Sequence, residues 1–463
     1  MLCCTRSVGD SARQLHRQRR RHERRAITLA LATLVCACAP PPKEAPRGAI
    51  LVSVDSLRAD RLGAYGYTRP TSPFLDRFAA KGLLFENAIA QSPWTLPSHA
   101  SMLTGLFPHH HGVVAQHLRL AREVPTLAAT LRAGGVSTAG LVHSQWLSAK
   151  QGLRRGFQSW TRFAEDRNRA DAITDAALAW LAEQGEQPFF LFVHYYDVHS
   201  DYAPKPAFRD LFVGEYSGPA DGSTEQLMRV RSGALRYSPA DLSHVSDLYD
   251  AEIRQLDAEL ERLLAGLAEL GLEDRTLVVV TSDHGEEFQE HGGVLHGRTM
   301  YEEVLRVPLI LTGPGVPANR RVAELALVAD VAPTLLGWLG VEPTERLDGV
   351  DLLAAVASAE PALGERRAFA AADWRNAEPD SQRMLRSLRF KWVHDRVSGR
   401  TQLFDLVSDP AEHEDVSARH ADLVERFRGE LPHYLKGGAS GESIGERSPA
   451  EIDLLRRLGY VDE

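Results

Sequence analysis

The chain has 463 residues, is 44% hydrophobic and 25% charged, and carries a formal net charge of -9. Those values exclude a disordered, collagen-like or polytopic membrane protein. The length admits one large α/β domain with a smaller companion.

Residues 1–25 hold eight arginines against Asp10 and Glu23, and an apolar stretch from Ala26 to Ala37 follows. That stretch is well short of the ~20 residues a membrane-spanning helix needs. Residues 1–38 therefore read as an export leader. Arg24-Arg25-Ala26-Ile27 weakly resembles a twin-arginine signal. Val35-Cys36-Ala37-Cys38 resembles a degenerate lipoprotein cleavage site with Cys38 as the acylated residue, the alternative being ordinary cleavage nearby; either route implies export to the cell envelope. Pro40, Pro41, Pro42 and Pro46 make residues 39–47 a stiff tether. All four cysteines lie in the leader: Cys3, Cys4, Cys36 and Cys38. The body has no internal disulfide, thiolate ligand or cysteine nucleophile. Without the charges of the leader the body stands near -15, which argues against nucleic acid as a partner. An anionic substrate must then be held by local charge. No protein partner can be inferred.

Predicted strands are Ala49–Val54, Ser137–Val142, Pro188–Tyr195, Thr276–Thr281 and Val307–Leu311. Predicted helices are Phe74–Lys81, Pro97–Thr104, Thr126–Ala133, Ala170–Glu183, Pro239–Leu270 and Val331–Leu339. In the longest helix, Leu256, Leu260, Leu263, Leu264, Leu267 and Leu270 recur every three to four residues, so one face is buried. Strands alternating with helices predict an α/β/α sandwich around a large, mostly parallel sheet over residues 48–360. Residues 203–237 read as a long surface insertion. Beyond residue 360, strand-like pieces at Arg366–Ala371, Met384–Leu388, Phe390–His394 and Gln402–Phe404 precede a helix near His420–Gly429. They predict a small antiparallel α+β subdomain over 361–463.

Ligands of open α/β sheets bind beyond the carboxyl ends of the strands. Asp55 follows the first strand, His143 follows Ser137–Val142, and His199 lies just past Tyr195. Asp283 and His284 follow Thr276–Thr281. Metal-ligand residue types thus leave one edge of one sheet. Thr95 opens a helix that carries Pro97 in its first turn. It is either a helix cap or a hydroxyl placed where amides and dipole attract an anion.

Several segments resemble the sulfatase family of the alkaline phosphatase superfamily. They are Ile50 through Asp60, Thr95 through Gly105 with Pro108 through Gly112, Tyr249 through Ile253, and Thr281 through Glu286. Tyr301-Glu302-Glu303-Val304 running into Val307-Pro308-Leu309, Asp330 through Leu335, and Leu403 through Leu406 with Asp409-Pro410 complete the set. The resemblance runs from about residue 48 to the C-terminus. It implies a metal held by Asp55, Asp283 and His284, touched also by the nucleophile at Thr95. It places His199 as a donor or acid and His296 at a substrate-binding basic position or as a ligand of a second metal. His99, His143 and Arg298 are further candidates for substrate contact. Tyr301, Glu302, Glu303 and the His109-His110-His111 run look structural by the same comparison, and Arg58 pairs with Asp60 or caps the following turn.

Two departures from the family pattern matter. Sulfatases usually carry Cys or Ser in a C/S-x-P-x-R pattern and oxidise it to formylglycine. Here the residue is Thr95 and the arginine position is His99. Oxidised threonine would be a ketone, so no formylglycine is expected, and Thr95 resembles the nucleophile of the superfamily's phosphoethanolamine and phosphoglycerol transferases. Calcium sulfatases typically pair aspartates at the first motif and Asp-Asn/Gln at the second, whereas this chain has Asp55-Ser56 and Asp283-His284. Exchanging a carboxylate for an imidazole favours zinc or manganese over calcium. The expected activity is metal-dependent cleavage of phosphate mono- or diesters or of sulfate esters. The substrate is a small molecule, lipid or glycan. The alternatives are a formylglycine-independent sulfatase, a phospho-alcohol transferase acting on an envelope glycan or lipid, and a non-catalytic binding module.

Overall fold

The computed structural model describes residues 47–163, 169–357, 363–373, 381–445 and 447–457. The expected leader, its cysteines and nearly all of the tether lie outside the described residues. Nine strands build the main sheet: β1 Gly48–Val54, β2 Leu83–Ile89, β3 Ser137–Val142, β4 Ser159–Arg162, β5 Phe189–Tyr195, β6 Thr276–Ser282, β7 Arg306–Val307, β8 Leu309–Thr312 and β9 Arg320–Leu327. Their order is β7-β2-β8-β6-β1-β5-β3-β4, with β9 added to β2. β6, β1, β5, β3 and β4 run parallel. β8 is antiparallel to β6 and β2, and β7 to β2.

β1, β5 and β6 are buried at every residue, as strands covered on both faces must be. Successive residues of β1 enter different cores. Ile50, Val52 and Val54 pack under helices α1 (Pro73–Ala80), α4 (Ala170–Ala182) and α5 (Pro239–Glu269). Ala49 and Leu51 face α2 (Thr95–Thr104), α3 (Leu127–Ala133) and α6 (Val331–Leu339). This is the expected three-layer sandwich.

α5 starts on a capping box between Ser238 and Asp241, with Pro239 at its first position. Its buried acids organise the layer. Asp257 accepts the amides of Phe74 and Leu75, both at 2.8 Å, and so caps α1. Tyr249 donates its hydroxyl to Ser56 O at 2.7 Å and accepts Arg58 N–H at 3.0 Å. The long helix is thereby tied to the turn that follows β1.

The smaller sheet is antiparallel, in the order β10 Ala368–Asp373, β11 Ser381–Arg386, β12 Phe390–Asp395, β13 Thr401–Asp405. Helix α7, Ala421–Leu435, follows. Glu302 joins this sheet to the rest through Arg386 at 3.0 Å and Lys391 at 3.2 Å. Glu412 receives Lys391 at 2.9 Å and the amide of Glu302 at 2.7 Å. Tyr301 stacks on His291 at 3.5 Å, and Glu303 pairs with that histidine at 2.7 Å.

Three expectations change. The strand expected over Val307–Leu311 is split at Pro308, which has no N–H for the ladder. β2 and β9 escaped the sequence reading because Glu86, Asn87 and Arg321 interrupt the apolar pattern at a sheet edge. There Glu86 pairs with Arg321 at 2.7 Å and Asn87 donates to Ala323 O at 2.8 Å. The insertion at 203–237 contains helices Pro206–Arg209 and Thr224–Arg231. Ser223 caps the second by accepting Gln226 N–H.

Replacing Tyr249 by Phe strands a buried carbonyl and a buried amide. The variant is expected to lose about 1–3 kcal/mol of stability, read as a lower midpoint with unchanged slope in urea unfolding.

Candidate active site

β1 and β6 are adjacent, parallel and in register, with Val54 beside Ser282. The residues that follow, Asp55 and Asp283, therefore emerge together. Both are fully buried, as is His284. Ser56, at φ 60°, turns the chain away from β1. Its hydroxyl donates to Asp55 Oδ1 at 3.1 Å and its amide to Asp283 Oδ1 at 3.2 Å. His284 N–H also donates to Asp283 Oδ1, at 2.9 Å. The other oxygen of each carboxylate, Oδ2, has no hydrogen-bond partner among the described residues. His284 Nδ1–H donates to Gly285 O at 2.9 Å, which turns the lone pair of Nε2 toward the carboxylates. Nε2 lies 3.3 Å from Asp283 Oδ2 and 3.7 Å from Asp55 Oδ1. Gly285 is required where the chain leaves: a Cβ there would sit 2.0 Å from Glu303 O.

One ligand atom from each of Asp55, Asp283 and His284 falls within 4.8 Å of the others. Burial pushes both carboxyls up. On Asp55, His194, His199 and His284 outweigh burial and hold the group well below the usual carboxylate range. On Asp283, burial and the charge of Asp55 leave it well above that range. Burial keeps His284 neutral, at about 3. Two orphaned carboxylate oxygens and a neutral imidazole fit a divalent cation, which removes the repulsion between the acids.

Thr95 is the first residue of α2 and is fully buried. Its hydroxyl lies 3.4 Å from His284 Nε2. Trp94, not Thr95, occupies the cap position. The hydroxyls of Ser56, Ser98 and Ser282 are engaged elsewhere: Ser98 donates to Asp283 O and Ser282 to His284 O, both at 2.6 Å. His99, one turn on, donates from Nδ1 to Thr95 O at 2.8 Å and accepts Ser53 Oγ–H at Nε2, 2.9 Å away. Both ring nitrogens are thus occupied beneath the site, which makes His99 a support for Thr95 and not a contact for substrate. Burial lowers it to about 3.

His199 donates from Nδ1 to Ser200 O at 2.6 Å, and its Nε2 lies 3.4 Å from the Tyr196 hydroxyl. Its ring is 5.0 Å from that of His296, which is 4.2 Å from that of His284. Burial holds His296 neutral, well below its ordinary range. His143 follows β3 and faces Asp197, with Nδ1 3.9 Å from Oδ2. Arg298 is half-buried two residues beyond His296. Arg58 binds Asp60 at 2.7 Å and Glu290 at 2.5 Å, the structural pairing expected. The run at 109–111 is a short helix in which His111 meets Ser101 and His110 meets Asp348.

Sequence reading missed two buried residues of the site. His194 lies in β5 beside Ser53. It accepts His143 N–H at Nδ1, 3.4 Å away, and its Nε2 lies 3.4 Å from Asp55 Oδ2 without closing a hydrogen bond. The available signal was a histidine inside an otherwise apolar strand. Glu286 accepts His296 Nδ1–H at 3.0 Å and the Tyr202 hydroxyl at 3.0 Å. Burial pushes it up to about 7, with His199, His284 and Tyr202 opposing.

Residues 48–341 match the sulfatase family model, and residues 289–435 match the model of the N-sulphoglucosamine sulphohydrolase C-terminal region. The chain belongs to the sulfatase family and is a hydrolase of ester bonds. It is 27% identical to arylsulfatase K of Bos taurus over 419 residues, 76% of this chain and 75% of the relative. It is 21% identical to a delta 4,5-hexuronate-2-O-sulfatase of Bacteroides thetaiotaomicron over 452 residues, 87% of this chain and 91% of the relative. The phosphonate monoester hydrolase of Agrobacterium radiobacter shares the fold, with a TM-score of 0.72 at 23% identity, over 84% of this chain and 95% of that one.

Saturating divalent cation is expected to stabilise the chelator-treated protein, by about 2.7 kcal/mol at a hundredfold excess over Kd. Asp283→Asn abolishes that gain. Thermal melts across a cation titration check both.

Proposed function

We propose that the protein is a metal-dependent hydrolase of sulfate or phosphate esters that uses Thr95 as its nucleophile. One observation carries the reading: Thr95 Oγ1 lies 3.4 Å from His284 Nε2, beside two buried carboxylates with orphaned oxygens. Asp55, Asp283 and His284 would hold the cation, with Thr95 touching it. The imidazole favours zinc or manganese over calcium. A bound cation there lowers the pKa of a hydroxyl and neutralises an ester oxygen.

Thr95 Oγ bonds to sulfur or phosphorus while His296, neutral and with Nδ1–H committed to Glu286, accepts the threonine's proton at Nε2. The bond to the leaving oxygen breaks, and His199 protonates the departing alcohol. Water then attacks the covalent ester and gives a proton to His199. As the bond to Thr95 breaks, His296 returns the proton to the threonine. His143 and Arg298 line the approach for the anionic group. The threonine and the missing body cysteine favour this route over formylglycine chemistry, which needs an aldehyde. The two curated sulfatases match most of this chain, and the bacterial one acts on a hexuronate sulfate, which supports an anionic glycan as one substrate class. The phosphonate hydrolase fold supports phosphorus esters as the other. Export through the leader and acylation of Cys38 would place the site in the cell envelope.

Nitrophenyl sulfate, phosphate monoester and phosphate diester serve as substrates for the protein from Lys43 onward, loaded separately with zinc, manganese or calcium. Thr95→Ala is expected to lower turnover roughly a thousandfold or more, and Thr95→Ser to retain much of it. Full turnover by Thr95→Ala would overturn the nucleophile. Adding an acceptor alcohol and assaying the products separates hydrolysis from transfer.

A further inference from the structure

Glu286 is a fully buried acid that the steps above do not use directly. Its two oxygens are divided between the two arms of the site. Oε1 accepts His296 Nδ1–H at 3.0 Å, and Oε2 accepts the hydroxyl of Tyr202 at 3.0 Å. Its backbone is held as well. Glu286 N–H donates to Glu303 O at 3.0 Å, and Glu286 O accepts Arg58 Nη1–H at 3.0 Å. Tyr202 stands three residues past His199 on a segment pinned by its own amide to Gly222 O at 2.9 Å. His296 lies on the loop after the short strand Val294–Leu295, against which the helix Thr224–Arg231 packs. Arg231 donates to His296 O at 3.0 Å. A carboxylate on Nδ1 selects the tautomer whose lone pair is on Nε2 and fixes the plane of the ring.

We infer that Glu286 is the positioning residue for His296, holding Nδ1–H so that Nε2 presents its lone pair to the reacting group. The inference rests on the reading of His296 as a residue of the reaction. Glu286 does not touch the ester; it acts through the imidazole. Replacing its charge by an amide of the same size would let the ring turn or change tautomer. That lowers the rate of the chemical step and leaves ester binding nearly untouched.

The test is a double-mutant cycle on the metal-loaded protein from Lys43 onward at pH 8, with the best of the three nitrophenyl esters. Glu286→Gln is expected to lower kcat about tenfold to a hundredfold with KM within about twofold. In the His296→Ala background the same substitution changes kcat by less than about twofold, because its effect passes through the ring. Tyr202→Phe keeps the Glu286–His296 bond and is expected to retain kcat within about threefold. A purely structural role predicts that Glu286→Gln and Tyr202→Phe lower kcat alike, or that Glu286→Gln acts equally in both backgrounds. Either result overturns the inference, as does wild-type kcat in Glu286→Gln. Wild-type activity in His296→Ala removes the role of His296 and the inference with it. Loss of activity in His296→Ala with no coupling removes the inference alone. If Glu286→Gln does not accumulate as folded protein, Glu286→Asp, with the charge kept and the reach shortened, replaces it under the same criteria.

Discussion

Two carboxyl groups buried side by side are the constraint on which this structure turns. Parallel neighbours in register deliver Asp55 and Asp283 to the same place, where both are fully buried. Left alone, such a pair is unfavourable by mutual repulsion and by desolvation. Each carboxylate is satisfied on one oxygen by Ser56, and Asp283 also by the His284 amide. The second oxygen of each is left over. On the proposed reading, a cation held between them would relieve that repulsion.

Much of the surrounding architecture maintains that arrangement. Tyr249 reaches from α5 to the turn after Asp55. His194 comes from the middle layer to face Asp55, and Gly285 lets the chain leave Asp283 and His284 against a neighbouring backbone. Glu302, Lys391 and Glu412 fasten the small sheet beside the segment that carries His296. These contacts join residues far apart in the chain, so substitutions remote from the site are expected to act on it through orientation.

By the sequence resemblance, Thr95 stands where sulfatases usually carry the side chain they oxidise, and His99 stands at the accompanying arginine position. The structure gives that exchange a coherent form, because His99 is turned inward, onto Thr95 O and Ser53, and not outward. Histidine here buttresses the start of α2.

The fold and the first row of the site were legible in the chain itself. Apolar runs of the right length, amphipathic helices and polar residues directly after strands are local features, and Asp55, Thr95, Asp283 and His284 lie at element ends where such reading works best. The motifs also sufficed for the family. Tertiary structure decided the rest. The edge strand β9 and its neighbour β2 are joined across the ladder by the Glu86–Arg321 pair and by Asn87 on Ala323 O, contacts that leave no periodicity. His194 and Glu286 look like interruptions of buried segments until their partners, 139 and 10 residues away in the sequence, are brought against them. His99 read as a candidate for substrate because spacing along a helix cannot say which way a ring nitrogen is satisfied. Sequence determines which groups are available; the direction each one faces depends on hydrogen bonds closed only when distant segments meet.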